Sequence, residues 1–144
     1  MTREDYRAGL TRVLREINKL LGDTNFWADN EAQLDIDTSD PSQVFEKEEA
    51  TRLLTMLDKC RDKGFYLLSV IQHEGTITMN DWEQYELDGV ILDCGTILEV
   101  KLYDETEERY HFVITSIECD NQGYYLTCNG QHDIEGIEGR LRFK

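Results

Sequence analysis

Apolar residues recur three and four positions apart over the first twenty residues: Tyr6, Leu10, Val13, Leu14, Ile17, Leu20 and Leu21. That spacing predicts an amphipathic helix from about Thr2 to Leu21. Thr2 and Asp5 stand where a capping box belongs, and Gly22 where a helix-ending glycine does. A second helix is predicted from Asp40, with Pro41 at its first turn and Gln43 completing a capping-box variant. Its expected buried stripe is Val44, Phe45, Leu53, Leu54, Leu57 and Cys60, and its expected end is Gly64. Glu46, Glu48 and Glu49 near the start and Lys59, Arg61 and Lys63 near the end suit the helix dipole. Two such helices predict an antiparallel hairpin.

Between them, residues 23–40 hold six acids and no cation. Such a stretch reads as a solvated connection. Phe26, Trp27, Leu34 and Ile36 interrupt it, which favours these side chains folding back onto the helices, with an anchor for a partner as the other reading.

After Gly64 the apolar run Phe65–Ile71 fits a strand or a short buried segment equally well. From residue 75 the period shortens to two. Candidate strands are Thr76–Met79, Gln84–Leu87, Ile97–Tyr103, Tyr110–Cys119, Tyr124–Cys128 and Arg140–Phe143. Turn signals separate them at Asn80–Asp81, Asp88–Gly89, Asp104–Glu108, Asp120–Gly123 and Asn129–Gly130. The expected architecture is therefore α+β: a helical hairpin with an acidic connection over 1–64, then a small antiparallel SH3-like β-barrel over 65–144.

Charge sharpens this picture. The 144-residue chain has 30 Asp and Glu against 15 Lys and Arg, a formal net charge of −15. Residues 65–108 alone hold eleven acids and one cation, Lys101. Phosphate binding needs clustered cations, so direct contact with nucleic acid or anionic lipid is disfavoured, even with Arg140, Arg142 and Lys144 close together. No apolar run approaches the ~20 residues of a membrane span, and the polar Met1–Asp5 start carries no signal-peptide pattern. The expectation is a cytoplasmic protein.

Chemistry is hard to find. Cys60, Cys94, Cys119 and Cys128 show no C-x-x-C spacing, so free and mostly buried thiols are expected. A zinc module would have to gather Cys94, Cys119, Cys128 and His132, and this is the lesser reading. His73, His111 and His132 are dispersed, and no phosphate loop, nucleophile elbow or dinucleotide fingerprint occurs. Asp35–Asp40 resembles half a calcium loop without its glycine and closing glutamate. The expectation is a protein that is not an enzyme and carries no cofactor.

The stretch from Gly75 to Arg142 resembles a family of small uncharacterised β domains of Gram-positive bacteria and their mobile elements. The likeness rests on Glu74-Gly75-Thr76-Ile77, Tyr85-Glu86-Leu87-Asp88-Gly89 and Cys94-Gly95-Thr96-Ile97-Leu98-Glu99-Val100. It continues in Thr115-Ser116-Ile117-Glu118, Gly123-Tyr124-Tyr125-Leu126 and Gly136-Ile137-Glu138-Gly139-Arg140-Leu141-Arg142. These are strand and turn signatures, so the resemblance implies a β fold and brings no activity.

Small size, acidity and mobile-element likeness together are similar in character to phage-encoded anti-CRISPR inhibitors. The functional expectation is a non-enzymatic binding protein whose carboxylates imitate a phosphate backbone towards a basic nucleic-acid-binding protein, such as an RNA-guided nuclease. The residues expected to carry it are Asp35, Asp37, Asp40, Glu46, Glu48 and Glu49, and Asp104, Glu105, Glu107 and Glu108, with Trp27 as an apolar anchor. The alternative is an acidic accessory or scaffold protein whose charge only keeps it in solution.

Overall fold

The computed structural model describes residues 1–142. It divides into two compact units, Met1–Ser69 and Val70–Lys144. The expected strand end at Phe143, and Lys144, lie outside the described residues.

The first unit is a helical hairpin. Helix α1 (Arg3–Asp23) starts on a complete capping box, Thr2 and Asp5 each accepting the other's backbone N–H. Gly22 does not end it. The cap is Thr24, whose hydroxyl donates to the Leu20 carbonyl at 2.8 Å. After a 3-10 turn (Phe26–Ala28) the connection leads to helix α2 (Pro41–Leu68), capped by Asp40. Gln43 closes no box on the Asp40 backbone; its amide nitrogen donates to Asp40 Oδ2, and its oxygen accepts from the Asp37 N–H.

Gly64 does not end α2 either. It is buried inside the helix, which continues through Phe65–Leu68, so that apolar run is helical. As a result Glu46–Glu49 fall after the first turn and Lys59–Lys63 before the last, and neither terminal turn carries the expected charge.

The helices run antiparallel. Arg7 at the start of α1 donates to the carbonyls of Leu67 and Leu68, and Arg61 reaches Asn18. The acidic connection folds back as expected: Phe26 and Ala32 are buried with Leu21 and Leu54, and Leu34 packs against them. The expected stripe on α2 is only partly buried. Leu54 is enclosed and Val44 and Leu57 are half-buried, whereas Phe45, Leu53 and Cys60 are exposed. At 3.6 residues per turn these three point roughly 100° or more away from Leu54.

The second unit is all β. Strands β1 (His73–Thr76), β2 (Thr78–Met79), β3 (Tyr85–Leu87) and β4 (Val90–Ile91) precede the long ribbon β5 (Ile97–Asp104) and β6 (Arg109–Asp120). Strands β7 (Gly123–Leu126) and β8 (Glu138–Leu141) follow. A five-stranded antiparallel sheet has the order β1-β8-β5-β6-β7, and a three-stranded one the order β2-β3-β4.

The fold is therefore α+β, but among the described residues the strands do not close into the expected SH3-like barrel. The large sheet stays open at β1 and β7. Residues 127–137 run irregularly between β7 and β8 and bury Ile134 in the core, so a loop covers apolar surface that a barrel would cover by strand pairing. The core joins Ile77, Leu87 and Leu92 from the small sheet and its flanks to Leu98, Val100, Ile117, Leu126 and Leu141 from the large one.

Strand β4 has no apolar alternation to announce it. It follows from the two-residue turn Asp88–Gly89, where φ is +50° and +79° and Leu87 pairs Val90. Positive φ at both central residues is the tight hairpin geometry that Asp-Gly favours.

Candidate functional site

The expected acidic residues form two groups, one in each unit. In the helical unit, Asp35 and Asp37 are exposed on the connection, while Asp40 is half-buried by its capping role. The Asp37 carboxylate accepts from the hydroxyl and backbone N–H of Ser39 at 2.6 and 2.9 Å, which holds its pKa below the ordinary carboxylate value. Glu46, Glu48 and Glu49 are exposed on α2. Glu48 lines a concave surface of about 590 Å³ with Asp29 and Glu31, and Lys47, Thr51 and Arg52 share its wall. Two of these acids are already matched: Glu49 pairs with Arg52, and Glu31 lies 3.4 Å from Lys47.

Trp27 belongs to this unit and is 46% exposed. Its indole nitrogen donates to Asp58 at 3.1 Å, and the Arg61 guanidinium stands 5.1 Å from the ring centroid. The indole is thus held against α2 at one edge and open at the other.

In the β unit, Asp104, Glu105, Glu107 and Glu108 come together at the tip of the β5–β6 ribbon. Eight paired positions, from Ile97–Ser116 to Asp104–Arg109, support that tip. Asp104 turns inward and accepts the backbone N–H groups of Thr106 and Glu107 at 2.9 and 3.2 Å. Glu108 closes the turn in the left-handed region at φ +52°. Glu105, Glu107 and Glu108 project into solvent, and Arg109 stands 3.9 Å from Glu107. The loop is therefore fixed by its own backbone while its carboxylates stay exposed.

The sequence reading missed the most enclosed acid. Glu99, on β5, is 4% exposed and lies between two arginines of the chain's end: Arg140 at 2.7 Å and Arg142 at 2.5 Å. Arg140 also stacks over Phe112, 3.7 Å from the ring centroid. Arg140 and Arg142, considered above for nucleic acid, are thus committed to an internal carboxylate. Alternation alone places Glu99 opposite to Leu98 and Val100, and no local pattern says that this face is enclosed.

Cysteine usage departs from expectation. Cys94 and Cys119 are joined by a disulfide, their Cα atoms 6.2 Å apart. A backbone bond from Gly95 N–H to the Ile117 carbonyl brings the two segments together. Cys60 and Cys128 are free but exposed, not buried. Among the described residues no three His, Cys, Asp or Glu side chains converge as metal ligands. His132 faces Asp120 at 2.9 Å, and His73 faces Asp88 at 3.1 Å. Among the described residues no helix is long and apolar enough to cross a membrane.

An open, antiparallel β unit preceded in the chain by a helical hairpin defines a small α+β domain protein. The chain belongs to the DUF5348 family, a domain of unknown function, whose family model matches residues 70–141. That match coincides with the β unit. No curated protein and no solved structure matches the chain.

Proposed function

We propose that this protein is a non-catalytic, anti-CRISPR-like inhibitor of a phage or mobile element that presents fixed carboxylates to the cationic groove of a nucleic-acid-binding partner. The observation that carries this reading is the β5–β6 tip. Glu105, Glu107 and Glu108 are exposed there on a turn that Asp104 holds through two backbone N–H groups. Pre-ordered anions lose little conformational entropy on binding and steer association with a basic surface, more strongly at low salt. The group Asp35–Glu49 adds a second acidic surface, with the open edge of Trp27 as an apolar contact.

A second reading is favoured by the cations set among those acids. Lys47, Arg52 and Arg109 each approach a neighbouring carboxylate. Acids spread and locally compensated in this way suit an accessory or scaffold protein kept in solution by its charge.

One experiment separates them. The full chain is titrated against an RNA-guided nuclease loaded with its guide, with duplex target DNA as competitor, at low and moderate salt. The proposal expects competition with DNA, and about tenfold or greater loss of affinity when Glu105, Glu107 and Glu108 are all changed to Lys. Binding that ignores both the DNA and the charge reversal, or no binding at all, overturns it.

A further inference from the structure

We infer that the helical hairpin is half of a four-helix bundle and that a second copy of this chain covers its open face. On α1 the residues Tyr6, Leu10, Val13, Ile17 and Leu20 alternate steps of four and three, the spacing of a helix-packing seam. Only the side chains turned towards α2, Leu14 and Leu21, are fully buried. Tyr6 and Val13 remain 53% and 55% exposed. On α2, Leu53 and Met56 are exposed to 55% and 64%, and Cys60 continues the same strip. An apolar groove of about 350 Å³ joins the two strips through Tyr6, Leu10, Cys60, Gly64 and Leu67.

Dimensions fit a second copy. A helix of this length runs about 30 Å, and two helices side by side are about 20 Å wide. The face therefore presents roughly 600 Å² in projection, close to the ~800 Å² of accessible surface that each partner buries in a standard interface.

Charge fits as well. The free rim of α1 carries Arg12 and, one turn on, Glu16, and that of α2 carries Lys59 and Lys63, which also line the groove. A two-fold axis parallel to the helices lays α1 of one copy antiparallel on α2 of the other and keeps every residue at its own height. Within one hairpin Leu14 is level with Gly64, and Asn18 with Arg61. Glu16 of the second copy then comes level with residues 61–64 of the first, beside Lys63. By the two-fold, Glu16 and Lys63 meet in this way on both rims.

Sedimentation velocity on the full chain at micromolar concentration tests this. The expected result is a species of twice the 16.8 kDa chain mass. Val13→Glu and Met56→Glu, both at exposed positions, should give monomers with unchanged helix content. Glu16→Lys alone and Lys63→Glu alone should each weaken the dimer, and the two together should restore it, a result that no general loss of folding can imitate. A monomer at every concentration overturns the inference and leaves the face to a different protein. So does a dimer that Val13→Glu and Met56→Glu leave intact, or a charge-swapped double variant no tighter than the singles. The proposed carboxylate function stands or falls separately, because the tip residues Glu105, Glu107 and Glu108 that carry it are none of those named for this interface.

Discussion

Gly64 of α2 lies directly against Leu14 of α1: a Cβ built on Gly64 would come within 2.6 Å of one Leu14 methyl carbon and 2.7 Å of the other. Glycine in a helix interior costs about 1 kcal/mol relative to alanine. Here that cost is offset by close helix approach, because Leu14, 2% exposed, occupies the space a side chain would need. Gly64→Ala should therefore destabilise the hairpin despite its better helix propensity, by about 1–2 kcal/mol once overpacking is set against the propensity gain. Combining it with Leu14→Ala should cost less than the sum of the singles. Urea unfolding of the four members of that cycle measures the coupling. A stabilised Gly64→Ala variant would show that the helices separate at little cost.

Glu99 makes a sharper prediction in the β unit. Its carboxylate is enclosed and meets Arg140 and Arg142 together. Removing one member of a buried charged group leaves the others uncompensated, typically at about 3–5 kcal/mol. Glu99→Gln, which keeps the shape and removes the charge, should lower the stability of the β unit by that order. The comparison is Glu138→Gln, which removes the half-exposed pair with Lys101 and should cost under about 1 kcal/mol. Equal effects in chemical unfolding would mean that Glu99 is solvated after all.

These residues also show what a sequence can announce. Helix starts were legible because their chemistry is local: Thr2 with Asp5, and Asp40 with Pro41, decide their turns without distant help. Helix ends were not, since Gly22 and Gly64 have the same identity whether they stop a helix or admit a neighbour. The ribbon β5–β6 was legible from its alternation, and β4 was not, being two residues defined by a turn. Closure of the sheet failed as an expectation because Ile134 enters the core from an irregular segment with no period. The acidic groups were countable from composition. The pairing of Cys94 with Cys119 and the enclosure of Glu99 are long-range facts that no spacing encodes.

Acid should weaken the fold in part through specific carboxylates. Asp120 accepts the Gln122 backbone N–H at 2.8 Å and the His132 ring nitrogen at 2.9 Å, and the backbone bond is the first cause of its lowered pKa. Asp5 is held low by Thr2 and Asp37 by Ser39. A carboxyl whose folded pKa is depressed stabilises the fold above its unfolded value and loses that contribution as pH falls through the folded one. Stability should thus hold down to the ordinary carboxylate range, near 3.8, and fall below it. Asp120→Asn should flatten the decline in that acid window. Denaturant midpoints across the range check the slope. An unchanged slope would remove Asp120 from the account.

The Cys94–Cys119 bridge spans a sequence separation of 25 and ties the segment entering β5 to the end of β6. Closing a loop of that size in the unfolded chain is worth about 3 kcal/mol in the chain-entropy description. Reduction should therefore destabilise the β unit by up to that amount. Cys94→Ser should do the same without reductant and should abolish any further response to it. Thiol titration of the denatured, unreduced chain should count the two free cysteines, Cys60 and Cys128, and reduction should raise the count to all four. Both segments reach one another through backbone bonding as well, Gly95 to Ile117 and Ile117 to Thr96. The reduced protein should therefore keep its sheet, with the loss appearing in stability and not in strand content by circular dichroism. A reduced β unit that unfolds outright under native conditions would show that these backbone bonds cannot hold the segment alone.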